Sequence, residues 1–517
     1  MRNHRYILSY GLLIAALAYT LWFVFAGFGN HQDPLYWLYK YEHLQGGWMA
    51  TGTLLTGGLF VRLFGARLLV LRLVGWLCVV SAIAIPYCCI LTKEQRRNNL
   101  HWLALTYVLM GYGAFQEFSP GTLSVLLLSL LWVTASTSNI KHHTSYITAI
   151  LLGIAVSVRF PNILALLVMV FVWKKRSMWN IPITALTAGL VYLLGYLFIT
   201  PAAADAAMSS HELLPMFTKL WENGGKLVGY MLLGIGVLAI GRFSNLRFQI
   251  SNFKLQIFSA VAAGAALVYF VWFTMRPLQW YNIDLTYLIS ALILMISLSP
   301  NPLTPNRSPL ILGAIILMIA TLGTDTAWLK LFPAVLCLLP VAATGYTPQM
   351  KRYLFIVLAV LSIVVVTRMT TNSVGQSNLT KVQSISTIAP YQGIAIRNAE
   401  QTRLEQYIAD FDSLSNVQYP MSNILSMGQE NHLMRAVTGC EAARFNEFWS
   451  NIYDSVYTAK YREIIRAEQP IVFCSFSPQF KTKPEYKDKE SRMEQMLLEE
   501  GYQPIDRSKY RYMIYVK

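Results

Sequence analysis

The sequence predicts an α-helical polytopic membrane protein of about 13 transmembrane helices, with a small C-terminal α/β domain outside the membrane. Three observations predict it. First, 55% of the 517 residues are hydrophobic and only 13% are charged, against about 25% charged in a soluble domain. The mean hydropathy is +0.43. A chain this long has too few charges to cover a soluble surface, which excludes an ordinary cytosolic enzyme, a disordered protein and a small disulfide scaffold. Second, the apolar residues come in runs of roughly bilayer length. Third, charge is unevenly spread. From about residue 378 onward there are 17 basic and 17 acidic residues, while the first 377 residues hold 25 basic and 9 acidic, the whole of the net +16. Excess Lys and Arg between apolar segments marks cytoplasmic loops, so the basic balance does not point to nucleic acid.

Thirteen apolar runs can be marked, near 7–28, 67–91, 101–118, 120–138, 144–158, 161–173, 180–200, 226–241, 255–275, 284–299, 309–323, 329–346 and 353–368. The first lacks a small-residue cleavage site and ends in Trp22, Phe23 and Phe25, so it reads as a retained helix. With the N-terminus inside, fifteen of the 25 basic residues fall on the cytoplasmic side. Of the nine acids, only Glu94 falls there. Asp33, Glu42, Glu117, Asp205, Glu212, Glu222, Asp284 and Asp325 all fall at or near the outer face. The positive-inside rule does not place acids, so chemistry on the outer face is the cause preferred here.

The expected organisation is a transmembrane part over 1–368, a polar linker over 369–386 and an extracytoplasmic domain over 387–517, in a cell inner (plasma) membrane. An odd number of spans places that domain outside. Strand-like runs at 392–396, 421–427, 471–476 and 510–516 alternate with helical periodicity near 399–411, 456–468 and 487–500, which predicts a small α/β fold. Four of the six cysteines, Cys78, Cys88, Cys89 and Cys337, lie in apolar helices and read as packing residues. Cys440 and Cys474 belong to the outer domain, where a disulfide is permitted, and their pairing stays open. CxxC and HExxH are absent from the sequence, so it carries no strong metal signature. No cofactor is assigned by these residues, and a divalent metal stays open.

The first outer loop is the richest stretch. It runs Asn30-His-Gln-Asp-Pro-Leu-Tyr-Trp-Leu-Tyr-Lys-Tyr-Glu-His43 and continues to about residue 66. Tyr36, Trp37, Tyr39 and Tyr41 predict a short helix lying in the interface. Asp33, just beyond the first span, suits a general base on a sugar hydroxyl, and equally suits a helix start with Pro34. Glu117, the second candidate catalytic carboxylate or else an acid that marks a turn, lies at the outer hairpin Phe115-Gln-Glu-Phe-Ser-Pro120, where Ser119 and Pro120 predict the start of the next helix. Arg159 falls between two apolar runs on the outer side, where topology asks for no positive charge, and a guanidinium there suits a phosphate. An ion pair to Glu117 is the structural alternative. Arg276, before Pro277, is a second candidate of the same kind. Asp325, Glu42 and His31 are candidates for holding sugar or acceptor hydroxyls, with Lys40 and His211 weaker. Outer carboxylates, arginines and aromatic rings together describe a site for a lipid-linked sugar phosphate. The carboxylate is the base, the arginine faces the leaving phosphate and the rings stack on the sugar.

On these residues the chain resembles the GT-C class of integral membrane glycosyltransferases, which includes the protein O-mannosyltransferases and the lipid A aminoarabinose transferases. The likeness is one of whole-chain architecture: an inside N-terminus, a long acidic first outer loop, many helices and an outer C-terminal domain. Asp33 in Asn30-His-Gln-Asp-Pro34 corresponds to the class's first-loop acid, Phe118-Ser-Pro120 to its outer Ser-Pro turn, and Arg159-Phe-Pro161 to its Arg/Lys-Pro helix opening. Arg276 to Tyr281 echo part of its Arg-Tyr helix start. The class often pairs two first-loop acids; here Pro34 follows Asp33 and Glu42 comes later. The resemblance implies a polyprenyl-phosphate sugar donor, a lipid, glycan or protein acceptor, and an inverting displacement at the outer leaflet. Two rivals are kept in view. A polysaccharide polymerase or ligase would use a polyprenyl-diphosphate glycan. A transporter or flippase would place its charges near the midplane, often within inverted repeats.

Overall fold

The computed structural model describes residues 2–27, 32–111, 117–137, 142–173, 179–200, 213–247, 253–274, 283–299, 308–322, 327–371, 383–417, 424–428, 433, 436–437, 454–475, 484–507 and 512–517. The chain is an α-helical polytopic membrane protein with a small C-terminal α/β part. Its first helices are α1 (Arg2–Phe25), α2 (Gln32–His43), α3 (Thr51–Phe64), α4 (Leu68–Ile90), α5 (Lys93–Asn98), α6 (Leu100–Met110), α7 (Pro120–Thr137) and α8 (His142–Val158). They continue as α9 (Ala165–Trp173), α10 (Asn180–Phe198), α11 (Leu213–Arg247), α12 (Phe253–Thr274) and α13 (Ile283–Leu298). The bundle closes with α14 (Ser308–Met318), α15 (Ala327–Leu336), α16 (Leu339–Ala342) and α17 (Pro348–Thr371). Among the described residues five helices, within α1, α4, α10, α11 and α17, are long and apolar enough to cross a membrane, and eight shorter apolar helices accompany them. Each overlies one of the thirteen expected runs.

Hydrogen bonds join the ends of the apolar helices in two layers. One layer is joined by Tyr346 Oη donating to Ile296 O at 2.5 Å, Trp132 Nε1 to Pro309 O at 2.6 Å and Arg242 Nη2 to Ser299 Oγ at 3.2 Å. Its basic residues include Lys93, Arg96, Lys351 and Arg97, the last seated 3.9 Å over the Tyr6 ring. The other layer joins Thr53 Oγ1 to Val158 O at 2.9 Å, Thr200 N to Leu44 O at 2.8 Å and Phe118 N to Leu71 O at 2.8 Å.

One element departs from expectation. Residues up to about 66 were expected to be loop after the short interface helix, yet they include the 14-residue helix α3. At about 1.5 Å per residue it spans about 21 Å, short of a hydrocarbon core of about 30 Å. Its sequence, TGTLLTGGLFVRLF, is weakened as a helix by three glycines. Those glycines let its neighbours close in. A Cβ on Gly57 would lie 2.3 Å from the Tyr41 ring, and one on Gly58 2.3 Å from Leu44 Cδ2. Thr51 and Thr56 return their hydroxyls to the carbonyls of Trp48 and Gly52. Small residues at a helix contact are a device of membrane packing, and propensity is overridden by it.

The C-terminal part begins with a two-stranded ribbon, β1 (Ser384–Ile385) antiparallel to β2 (Ala395–Ile396), followed by α18 (Asn398–Val417). β3 (Ile424–Gly428), α19 (Asp454–Glu468), β4 (Ile471–Ser475), α20 (Pro484–Glu499), β5 (Gln503–Arg507) and β6 (Tyr512–Val516) complete it. The sheet order is β3-β4-β6-β5, with β3 and β4 parallel and the other pairs antiparallel. The expected strands and helices are all present; β1 and β5 were not foreseen, and β1 falls within the expected linker. Period-two alternation sorts the sheet faces. Ile471, Phe473, Ile514 and Val516 pack with Leu404 and Tyr407 of α18. The same buried cluster contains Leu35, Leu38 and Tyr41 of α2, Leu68 and Leu71 of α4, and Phe118. The sheet and the end of the helix bundle therefore share one core. Cys440 and the Cys474 side chain lie outside the described residues.

Candidate active site

The end of the bundle that shares this core holds the charged side chains of interest. Helix α2 opens with Pro34 in its first turn, where proline's fixed φ and missing N–H cost nothing. Asp33 falls in that same turn, and its side chain lies outside the described residues. Further along, Lys40 is 5% exposed, with its ammonium 4.2 Å from the Tyr36 ring centroid and 5.8 Å from that of Trp37, within cation–π range. Tyr41 is fully buried, stacks on Trp37 and donates its hydroxyl to Phe118 O at 3.2 Å. Glu42 is on the exposed side of the helix. The aromatic run thus builds the expected short helix, with its rings turned toward the protein at Tyr41 and Tyr36.

Glu117 is held in the turn between α6 and α7. Its carbonyl accepts from Thr122 Oγ1 at 3.2 Å, and Ser119 Oγ accepts from Thr122 N at 3.4 Å as α7 begins at Pro120. The Ser-Pro start is as the sequence predicts. The Glu117 carboxylate lies against Arg72, with Nε 3.7 Å from Oε1, and these side chains are 6% and 13% exposed. Arg72 also donates from Nη1 to the carbonyl of Gly27 at 2.9 Å. Gly27 has φ +94°, a conformation glycine adopts without a steric penalty. Its N–H donates to Ala395 O of β2 at 2.7 Å.

Arg159 stands at the end of α8 and is 8% exposed. Its Nη1 donates to Ala320 O at 2.6 Å and its Nη2 to Leu322 O. These carbonyls end the helical turn after α14, where a cation satisfies otherwise unpaired acceptors. The ion pair from Arg159 to Glu117 weighed at the sequence level is replaced by Arg72–Glu117. Beside it, Asn162 is fully buried; its Nδ2 donates to Ser124 Oγ at 2.9 Å and Ala155 O at 2.8 Å, while its Oδ1 has no hydrogen-bond partner among the described residues.

His31, Arg276, Asp325 and His211 lie outside the described residues. Among the described residues no group of three His, Cys, Asp or Glu side chains could hold a metal ion. Sequence reasoning missed Arg72. The signal available was a charge one turn inside an otherwise apolar run, an arrangement membrane proteins reserve for paired or functional residues.

The chain matches no protein-family model and no curated protein. Among solved structures it is similar to the crystal structure of ArnT from Cupriavidus metallidurans in the apo state, with a TM-score of 0.43 and 11% sequence identity over 98% of each chain.

Proposed function

We propose that this chain is a membrane glycosyltransferase that moves a sugar from a polyprenyl-phosphate donor to an acceptor hydroxyl at the outer face of the membrane. The observation that carries the reading is the buried carboxylate–guanidinium pair Glu117–Arg72 at the end of the bundle where α2, α4 and the C-terminal sheet share a core. Buried charge in an apolar bundle is retained where it is paired and used. Lys93, Arg96, Arg97 and Lys351, at helix ends away from this pair, are the basic charge expected of a cytoplasmic face. Asp33, in the first turn of α2, would take the proton of the acceptor hydroxyl. That oxygen would attack the anomeric carbon as the bond from this carbon to the phosphate oxygen breaks, and polyprenyl phosphate would leave with the bonding pair. Glu117 is the second carboxylate of the site. Arg159 and Arg276 would stabilise the departing phosphate, and Asp325, Glu42 and His31 would hold sugar or acceptor hydroxyls. The Arg159 fork has five N–H groups, and the two carbonyls at 320 and 322 occupy two of its nitrogens.

The test supplies membranes containing the protein with radiolabelled polyprenyl-phosphate monosaccharides, and in parallel with labelled polyprenyl-diphosphate glycans, and follows release of the free lipid phosphate. Transfer from the monophosphate that falls by about 10²-fold or more in Asp33→Asn, the loss usual for a missing general base, is the expected result. Transfer only from the diphosphate would turn the reading to a polymerase or ligase. Full transfer in both Asp33→Asn and Arg159→Ala would remove the site assignment.

A further inference from the structure

We propose that Arg72 is a positioning residue that fixes the two carboxylate-bearing segments of the site against each other. The proposal rests on the sugar-transfer reading and deepens it. One planar guanidinium serves two different segments. Its Nε faces the Glu117 carboxylate at 3.7 Å, and its Nη1 holds the Gly27 carbonyl at 2.9 Å. Gly27 lies two residues beyond the end of α1 and six before Asp33 in the first turn of α2. Three further hydrogen bonds brace the same place. Phe118 N donates to Leu71 O at 2.8 Å, Tyr41 Oη to Phe118 O at 3.2 Å, and Gly27 N to Ala395 O at 2.7 Å. Thus α4 grips the Glu117 turn with the backbone of Leu71 and the side chain of Arg72, and the α1 exit is gripped by Arg72 on one side and β2 on the other. A lysine has one compact charge and no fixed fork, so it cannot meet both acceptors with the same geometry. An apolar side chain would meet neither.

The experiment uses the full-length protein in lipid nanodiscs, with two readouts. One is hydrogen exchange of the backbone amides of Ala26, Gly27 and Phe118. The other is steady-state transfer from a labelled polyprenyl-phosphate sugar. Arg72→Met is expected to accelerate exchange at Gly27 and Phe118 and to lower kcat by about 100-fold, the loss that a misplacement of about 1 Å produces, with KM for the donor unchanged. Arg72→Lys is expected to recover part of kcat and part of the protection. In the double variant Arg72→Met/Glu117→Gln, kcat is expected to fall little below that of Glu117→Gln alone, because the two residues act as a unit. Wild-type exchange and kcat in Arg72→Met overturn the proposal. So does a raised donor KM with kcat intact, which would make Arg72 a ligand of the donor. If Arg72→Met does not fold, Arg72→Lys decides alone, and wild-type exchange and kcat in it overturn the proposal. If the wild-type protein transfers no sugar from any monophosphate donor, the sugar-transfer reading fails, while the exchange measurement still decides whether Arg72 holds the two segments.

Discussion

Arg159 shows how one buried guanidinium can carry two loads. It sits at 8% exposure and gives Nη1 and Nη2 to the carbonyls of Ala320 and Leu322. Hydrogen bonds from a charged donor contribute about 1.5–3 kcal/mol each, and an acceptor left buried without one costs a comparable amount. Arg159→Ala is therefore expected to lower stability by on the order of 3 kcal/mol, read as a fall in the thermal unfolding midpoint in detergent. If the same group also faces the donor phosphate, donor KM rises in the variant as well. A lowered midpoint with donor KM unchanged would leave Arg159 a structural cap only. The sequence made the type and place of this residue legible, because an outer arginine between two apolar runs has no topological reason to be there. Its partners were not legible, because backbone carbonyls far along the chain leave no trace in residue type. Glu117 was legible in the same way, whereas Arg72 left only the unread signal of a charge inside an apolar run, and the two are paired only by the packing of α4 against the turn before α7.

At the scale of elements, the long apolar runs declared themselves, since each of the thirteen holds enough hydrophobic residues to outweigh local irregularity. Helix α3 did not, because its thermodynamic support lies in its neighbours. Three glycines lower its intrinsic propensity by roughly 1 kcal/mol each relative to alanine, and they are recovered only where Tyr41, Leu44 and Ser157 fill the space beside them. The contact is tight enough to make a sharp prediction. A Cβ at Gly57 would lie 2.3 Å from Tyr41 Cδ1, while one at Gly189 on α10 meets nothing within 4 Å. Gly57→Leu is expected to destabilise by about 1–3 kcal/mol through overpacking and to push α2, with Asp33, out of place, so that transfer falls. Gly189→Ala is expected to be neutral or to stabilise by up to about 1 kcal/mol through helix propensity. Equal unfolding midpoints for the two variants would show that α2 and α3 do not pack as described.

The whole molecule is organised by its second core, in which the sheet face of Ile471, Phe473, Ile514 and Val516 meets α18, α2, α4 and Phe118. Sequence patterning foretold an α/β fold at the C-terminus, and it treated that fold as a unit beyond a linker. Alternating strands reveal which residues face inward, but not whether the inward face meets the domain's own helix or a membrane-end helix as well. The shared core makes the C-terminal part a structural support of the bundle end that holds the Glu117–Arg72 pair, and this separates the effects of two buried residues. Tyr407 of α18 is 1% exposed and belongs to the shared cluster, whereas Leu497 of α20 is 0% exposed and lies outside it. Large-to-small changes at such positions cost about 2–5 kcal/mol, so Tyr407→Ala and Leu497→Ala are both expected to loosen the C-terminal sheet. Only Tyr407→Ala removes packing that reaches α2 through Leu35, Leu38 and Tyr41. Hydrogen exchange is therefore expected to quicken in residues 35–43 in Tyr407→Ala and to stay at the wild-type rate there in Leu497→Ala, while both variants quicken exchange in β4 and β6. If α2 responds to neither, the sheet merely rests on the bundle, and the support for Asp33 comes from α3 and α4 alone.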